Sequence, residues 1–298
     1  MGNMIEHCLS TNCSSCDVGN YPDCKHVSLK EYYRYKDGDP VVMNLSYGKD
    51  SLASLHVAID MLGWNVVRIV HAEVWATDTI PGDFPDMVEF KKLVDTYIFN
   101  RWGIIVEHFK SKDTFESFFY DTIKYKTKQS KEDRTGQIHG WPYLKGSWCL
   151  RQLKLAALEK AQRSTEGCTI GLGIAIDEPD RFHNLVGNRI SPLVAAGWTE
   201  SMCMGWCKEN GLVSPDYTHS DRSGCWFCPK QRLEQLRHLK NEHPQLWDKM
   251  LEWDKHSPVT FKPNKHTVRD YDTRFTMEKQ GKVPVGNKFK WEMIKEEV

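Results

Sequence analysis

With 298 residues, 40% of them hydrophobic and 27% charged, the chain has too much apolar material for disorder and enough to fill one large or two modest cores. Its 40 basic and 40 acidic residues cancel, which excludes a global field drawing it to nucleic acid or an anionic membrane. No apolar run approaches the roughly 18 residues that span a bilayer, and Met1 to Ser10 shows neither the basic start nor the apolar stretch of a leader, so a cytoplasmic protein with no membrane partner is expected. Ten cysteines in that setting point to metal or redox chemistry rather than to disulfides.

Residues 1–36 are polar, thiol-rich and without a period of 2 or 3.6, and read as a Cys-rich arm. Within it Cys13-Ser-Ser-Cys16, with Cys8, Cys24 and His26 nearby, has the spacing of a zinc site or belongs to a flexible arm of reactive thiols. A nucleotide-binding domain is expected over 37–200. Val41 to Leu45 is a short apolar run ending in Ser46-Tyr47-Gly48, the pattern of a buried strand entering a tight turn. Leu52, Leu55, Ala58 or Ile59, and Leu62 then recur at helical spacing up to Gly63, which predicts strand, turn, helix. His56, inside that helix, and His71, in the next strand, read as packed residues.

The unit repeats. Val66 to Val74 predicts a second strand, Asp86 to Phe99 a helix with Met87, Phe90, Leu93, Val94 and Tyr97 on one face, and Gly103 to Phe109 a third strand. Leu150, Leu153, Ala157, Leu158 and Ala161 form a further helical stripe, followed by a stop near Gly167 and a strand over Thr169 to Ile176 that Cys168 heads as a core residue. The alternation predicts an α/β fold with a Rossmann-like, doubly wound, mainly parallel sheet that binds its ligand at the carboxyl ends of the strands. Residues 121–147, with Lys124, Lys126, Lys128, Lys131 and Arg134 ahead of Gly140-Trp141-Pro142, interrupt it. They read as an exposed excursion, either a solvated face or a surface that steers an anionic substrate or nucleic acid. A helical region rich in Trp, Lys and Arg is expected over 201–298, where Trp247 and Trp253 read as helix packing.

Ser46-Tyr47-Gly48-Lys49-Asp50-Ser51 sits between the first strand and the first helix, where a parallel sheet places its ligand. Gly48 permits close backbone approach, successive amides form an anion cradle beside a helix start, and Lys49 adds a full charge. Ser46 and Ser51 supply hydroxyls, and Asp50 either caps the helix or helps to hold Mg2+. Lys49 is followed by Asp rather than Ser or Thr, so this is not a Walker A loop.

The six residues resemble the Ser-Gly-Gly-Lys-Asp-Ser signature of the PP-loop ATP pyrophosphatases and adenine nucleotide alpha-hydrolases, with Tyr47 in place of a Gly. Gly171-Leu-Gly173, Asp177-Glu178-Pro179 and Arg181, then Ile190 to Leu193, Gly197 to Glu200 and Cys207 to Gly211, resemble the phosphoadenosine phosphosulfate reductase-like branch. The likeness runs from residue 40 to about 232. It implies an adenine nucleotide held by the loop with help from Gly171, Gly173 and Arg181. Ile174 and Ala175 stand where relatives often carry Arg. Arg181 either takes over that recognition or pairs on the surface with Asp177 or Glu178.

Cys225-Trp-Phe-Cys228-Pro229 is the sharpest metal signal, because two thiolates three residues apart grip one centre. Cys149, in a Trp-Cys segment that resembles the family's, and Cys207, with Cys203 as alternate, complete a four-thiolate set suited to a 4Fe-4S cluster or to zinc. The resemblance favours iron-sulfur. It further implies an enzyme in which a substrate oxygen attacks the α-phosphate of ATP, pyrophosphate leaves with Lys49 and Asp50 in catalytic roles, and sulfur displaces the adenylate. Sulfide or a persulfide-carrying protein is the expected donor, and a nucleic acid is one acceptor left open. An alternative is reduction of a sulfated adenine nucleotide, although relatives that do this carry a terminal Glu-Cys-Gly and no Cys follows Cys228 here. A third is a non-enzymatic nucleotide sensor with a bound metal, against which the intact Lys49-Asp50-Ser51 weighs.

Overall fold

In a computed structural model, Val41, Val42 and Met43 have no exposed surface, because a hydrogen-bonded strand lies on each side of them. The strands β1 (Val41–Asn44), β2 (Val66–Glu73), β3 (Val106–Lys110), β4 (Thr169–Leu172) and β5 (Arg189–Ile190) form one sheet in the order β3-β2-β1-β4-β5. The structure describes residues 35, 38–126, 132–144, 146–162, 167–218, 224–263 and 265–295. Cys8, Cys13, Cys16, Cys24 and His26, with Lys128 and Lys131, lie outside the described residues.

The expected α/β architecture is present. β1 pairs in parallel with β2, Met43 opposite Ile69, and with β4, Met43 opposite Gly171; β4 pairs in parallel with β5. A strand buried between two parallel neighbours needs apolar side chains on both faces, which is why β1 reads as a continuous apolar run instead of an alternating one. The chain moves from β1 outward to β2 and β3, then returns to lay β4 on the other side of β1. The loops after β1 and β4 therefore part at a topological switch point and leave a crevice between them.

Gly63, at φ +64, ends the first helix as expected, but the helix itself is α over Lys49–His56 and widens to a π-turn over Val57–Met61. β4 is shorter than the predicted Thr169 to Ile176, because the backbone turns at once and Ile174 N–H donates to the Leu172 carbonyl. Val42, Val70, Ala161 and Ile170, with Leu158, Phe109 and Cys168 against them, make an apolar cluster on one side of the sheet. Among the described residues no helix is long and apolar enough to cross a membrane.

The chain divides into two compact units. One holds the sheet, with Asp86–Phe109 and Ala157–Pro215. The other is built from Glu73–Pro85, Lys110–Ala156 and Asp216–Val298 and is mostly helical, with helices over Leu233–Glu242, Pro244–His256 and Val268–Lys279. Its interior is aromatic: Phe115, Phe119, Trp141, Trp226, Phe227, Trp253 and Phe261 are all buried. Residues 121–147 are thus not wholly an exposed excursion. Lys124, Tyr125 and Lys126 are exposed, but Trp141 is 1% exposed and donates its indole N–H to Asp254 at 3.0 Å, since an indole sealed in an apolar core needs an acceptor there.

Candidate phosphate loop and thiol sites

The loop after β1 is closed by its own hydroxyls. Ser51 Oγ donates to the Gly48 carbonyl at 3.0 Å and accepts from the Ser46 amide at 3.1 Å. Ser46 Oγ lies 3.0 Å from the same Ser51 oxygen. Ser51 is buried and spends its hydroxyl on the loop, whereas Ser46 is exposed and available to a ligand. The N-cap of the Lys49–His56 helix is Gly48, in an extended conformation and with no side-chain cap. Asp50 therefore does not cap, and its carboxylate is left for other work. At a helix start without a side-chain cap, the first amides are open to an anion.

Gly173 sets how closely the second wall approaches. A Cβ there would fall 2.6 Å from Ser51 Cα and 2.7 Å from Ser51 N, so only glycine lets the loop after β4 lie against the helix start. Gly171 lies deeper, where a Cβ would meet Met43 Sδ at 2.1 Å and Val41 Cγ1 at 3.4 Å, and its role is packing of β4 on β1.

Lys49 Nζ donates to Asp50 Oδ2 at 2.9 Å and to Glu200 Oε2 at 3.0 Å. Burial alone would lower the pKa of that ammonium; the hydrogen bonds and charges of Asp50 and Glu200 outweigh it, and the net shift is upward. Lys49 is thus a permanent cation at neutral pH. Asp50 shifts upward, chiefly through burial, with Lys49 opposing and the charges of Glu200 and Glu178 adding to it. Carboxylate oxygens of Asp50, Glu178 and Glu200 lie within 4.8 Å of one another, an all-oxygen donor set of the kind a hard divalent cation such as Mg2+ takes.

The loop after β4 positions two of these acids. Asp177 accepts the Glu200 amide at 3.0 Å, and Thr199 caps the Glu200–Glu209 helix by accepting the Met202 amide, which aims Glu200 at Lys49. Glu178 accepts the Ala175 amide at 3.2 Å and pairs with Arg181 at 2.5 Å. Arg181 is thus engaged with Glu178, the pairing weighed against phosphate recognition. Glu178 and Glu200 stand in the motifs that carried the family resemblance, but nothing local marked them as partners of Lys49.

Cys203 and Cys207, one turn apart on the Glu200–Glu209 helix, face the same loop. Cys207 Sγ lies 3.6 Å from the Lys49 carbonyl. Burial, then the Asp50 charge, pushes the Cys207 thiol up to about 12 and shifts Cys203 in the same direction.

The helical unit brings the other three predicted ligands together. Cys149 precedes the π-turn Leu150–Leu155, and its sulfur feels the charge of Cys228, as Cys225 feels both. Burial pushes Cys149 up to about 11 and Cys225 up to about 12. Gln231 fixes the turn by donating its side-chain amide to the Cys225 carbonyl at 2.8 Å, and Lys262 Nζ donates to the Pro229 carbonyl at 2.6 Å. Burial lowers Lys262 to about 8. The two residues between the cysteines anchor the turn, as Trp226 donates to the Pro81 carbonyl at 2.9 Å and stacks on Trp253, while Phe227 lies 4.1 Å from Phe115. The three sulfurs are not all within 4.8 Å of one another, since the only such donor group among the described residues is the acidic one.

No family model and no curated protein matches the chain. Among solved structures, the U34-tRNA thiolase NcsA from Methanococcus maripaludis, determined with its 4Fe-4S cluster, is similar at a TM-score of 0.37 and 15% identity, over 73% of each chain.

Proposed function

We propose that this chain is an ATP pyrophosphatase of the phosphoadenosine phosphosulfate reductase-like kind, which activates an acceptor oxygen as its adenylate and exchanges it for sulfur. The observation that carries the reading is the loop at the switch point: open amides at a helix start, and a lysine held charged among three carboxylates.

In this reading the open amides at the start of the Lys49–His56 helix and the Lys49 ammonium bind the β- and γ-phosphates of ATP. The acceptor oxygen forms a bond to the α-phosphorus, the bond to the bridging oxygen breaks, and pyrophosphate departs with the electron pair. Lys49 neutralises the charge that grows on that leaving group, without itself giving up a proton. Asp50, Glu178 and Glu200 would hold Mg2+, which supplies charge neutralisation across the phosphates. A sulfur nucleophile then displaces AMP from the activated carbon. Cys149, Cys225 and Cys228, with Cys207 as the fourth ligand, would hold a 4Fe-4S cluster; when bound, it supplies a site to carry sulfide. The acceptor class follows from the chemistry: an oxygen on carbon that becomes a leaving group once adenylated, as in a carbonyl-bearing nucleobase.

The test is pyrophosphate release from ATP by anaerobically prepared protein, given sulfide and a panel of acceptors including RNA. Release is expected with at least one acceptor, and Lys49→Ala should lower it by about 100-fold to 1000-fold, the usual cost of removing a group that stabilises transition-state charge. Thiol-dependent sulfite production from a sulfated adenine nucleotide, with no pyrophosphate from ATP, would overturn it.

A further inference from the structure

Tyr47 is the residue by which the loop departs from its family pattern. Its backbone is left-handed, with φ at +60, a conformation that glycine takes freely and side chains rarely adopt. The side chain is fully buried and turns back beneath the loop. There its hydroxyl donates to Asp95 Oδ1 at 2.5 Å, and His108 Nε2 donates to the other oxygen of the same carboxylate at 3.0 Å. The ring is edge-on to His71 at 4.8 Å, with Lys91 Nζ 5.2 Å from its centroid.

His71 ties the same assembly to the loop's stem. A carbonyl only accepts, so the 2.8 Å contact with the Leu45 oxygen places a proton on His71 Nδ1. Lys91 then donates to Nε2 at 2.9 Å. Lys91 and Asp95 lie one turn apart on the Pro85–Trp102 helix, His71 is on β2 and His108 on β3. One helix and two strands therefore hold Leu45 and Tyr47 from below, on the side of the loop away from its open amides.

We propose that Tyr47 is a positioning residue for the nucleotide, its phenol locked by Asp95 and His108 so that the loop stands in its left-handed, anion-binding shape before any phosphate arrives. This rests on the reading of 46–51 as a phosphate loop. A glycine at 47 would make the conformation accessible but would not select it; the tyrosine selects it, and the ligand is spared the ordering cost.

The experiment is calorimetric titration of the intact protein with ATP and Mg2+, alongside amide hydrogen exchange of residues 45–51 without nucleotide. Tyr47→Phe should weaken ATP about tenfold, the worth of one hydrogen bond to a charged group, and speed exchange in the loop while the unfolding midpoint stays near that of the parent. Tyr47→Gly should bind as weakly or more weakly, despite its freer backbone. Asp95→Ala should match Tyr47→Phe, and Asp95→Asn, which still offers an oxygen to the phenol, should recover most of the affinity. Parental affinity and loop protection in Tyr47→Phe, or tighter binding by Tyr47→Gly, overturn the proposal while leaving the phosphate loop standing. A parent protein that binds no ATP overturns the loop reading itself.

Discussion

Around Lys49, charge is kept and paired; around Cys225, it is suppressed. The phosphate loop gathers a cation and three carboxylates at the edge of a crevice, where Glu200 stays 45% exposed and water still screens the group. The thiol turn is wrapped by Trp226, Phe227, Phe115 and Trp253, and burial favours the protonated form of Cys225 and of Cys149. The difference teaches how each site would meet its ligand. A loop that already holds its charges binds an anion by exchanging partners, whereas a pocket of neutral thiols must release protons when a metal centre binds.

The largest expected effect separates the two regions outright. Cys225→Ser should abolish iron and acid-labile sulfide in anaerobically purified protein and bleach its colour, while ATP binding, measured by calorimetry, stays within about twofold of the parent, since Lys49 and its three carboxylates all belong to the sheet-bearing unit. Stoichiometric zinc without sulfide in the parent would show that the pocket takes the smaller ion.

A second change attacks the loop through its wall. Gly173→Ala places a methyl against the backbone of Ser51 and Asp50, which cannot yield as a side-chain tip can, so about 1–3 kcal/mol of stability should go and ATP affinity with it. Gly171→Ala strikes the flexible Met43 thioether first and should cost less. Urea midpoints with and without ATP would rank the two, and a Gly173 variant that binds ATP like the parent would show that the wall does not shape the site.

The smallest effect is the pH response of the metal-free protein. An unfolded thiol loses its proton near 9, but Cys149 holds its proton to about 11 and Cys207 and Cys225 to about 12. Above pH 9 the unfolded chain therefore binds fewer protons than the folded one, so this contribution is intact below pH 9 and declines as pH rises toward 11. Urea midpoints at pH 8 and pH 10 should fall in that order, and Cys225→Ser should flatten the decline.

What the sequence disclosed follows from the range of the interactions. The strand, loop and first helix were readable from Val41 to Gly63 because burial on both faces, a glycine stop and helical spacing are local signals. β5, two residues long, left no such pattern. The carboxylate group joins positions 50, 178 and 200, and Tyr47 finds Asp95 and His108 across 48 and 61 residues, so neither is written in any window. His71 was readable as packed, but not that its ring bridges Lys91 to the loop stem. Trp141 was hidden for the opposite reason: the lysines before it marked the whole stretch as exposed, while its burial is decided by Asp254 and Phe261.

The two units take alternate turns along the chain, with Glu73–Pro85, Lys110–Ala156 and Asp216–Val298 in one and the intervening stretches in the other. During synthesis the sheet-bearing unit is complete once Pro215 has emerged, but Cys149 waits for Cys225 and Cys228 until the third stretch follows. Assembly of the thiol pocket is for that reason a late event, and until then a newly made chain carries Phe115, Phe119 and Trp141 without Phe227, Trp253 and Phe261, which pack on them. An iron-sulfur centre of the kind proposed would have its natural window for insertion there, after the last segment is made and before the aromatic shell has closed.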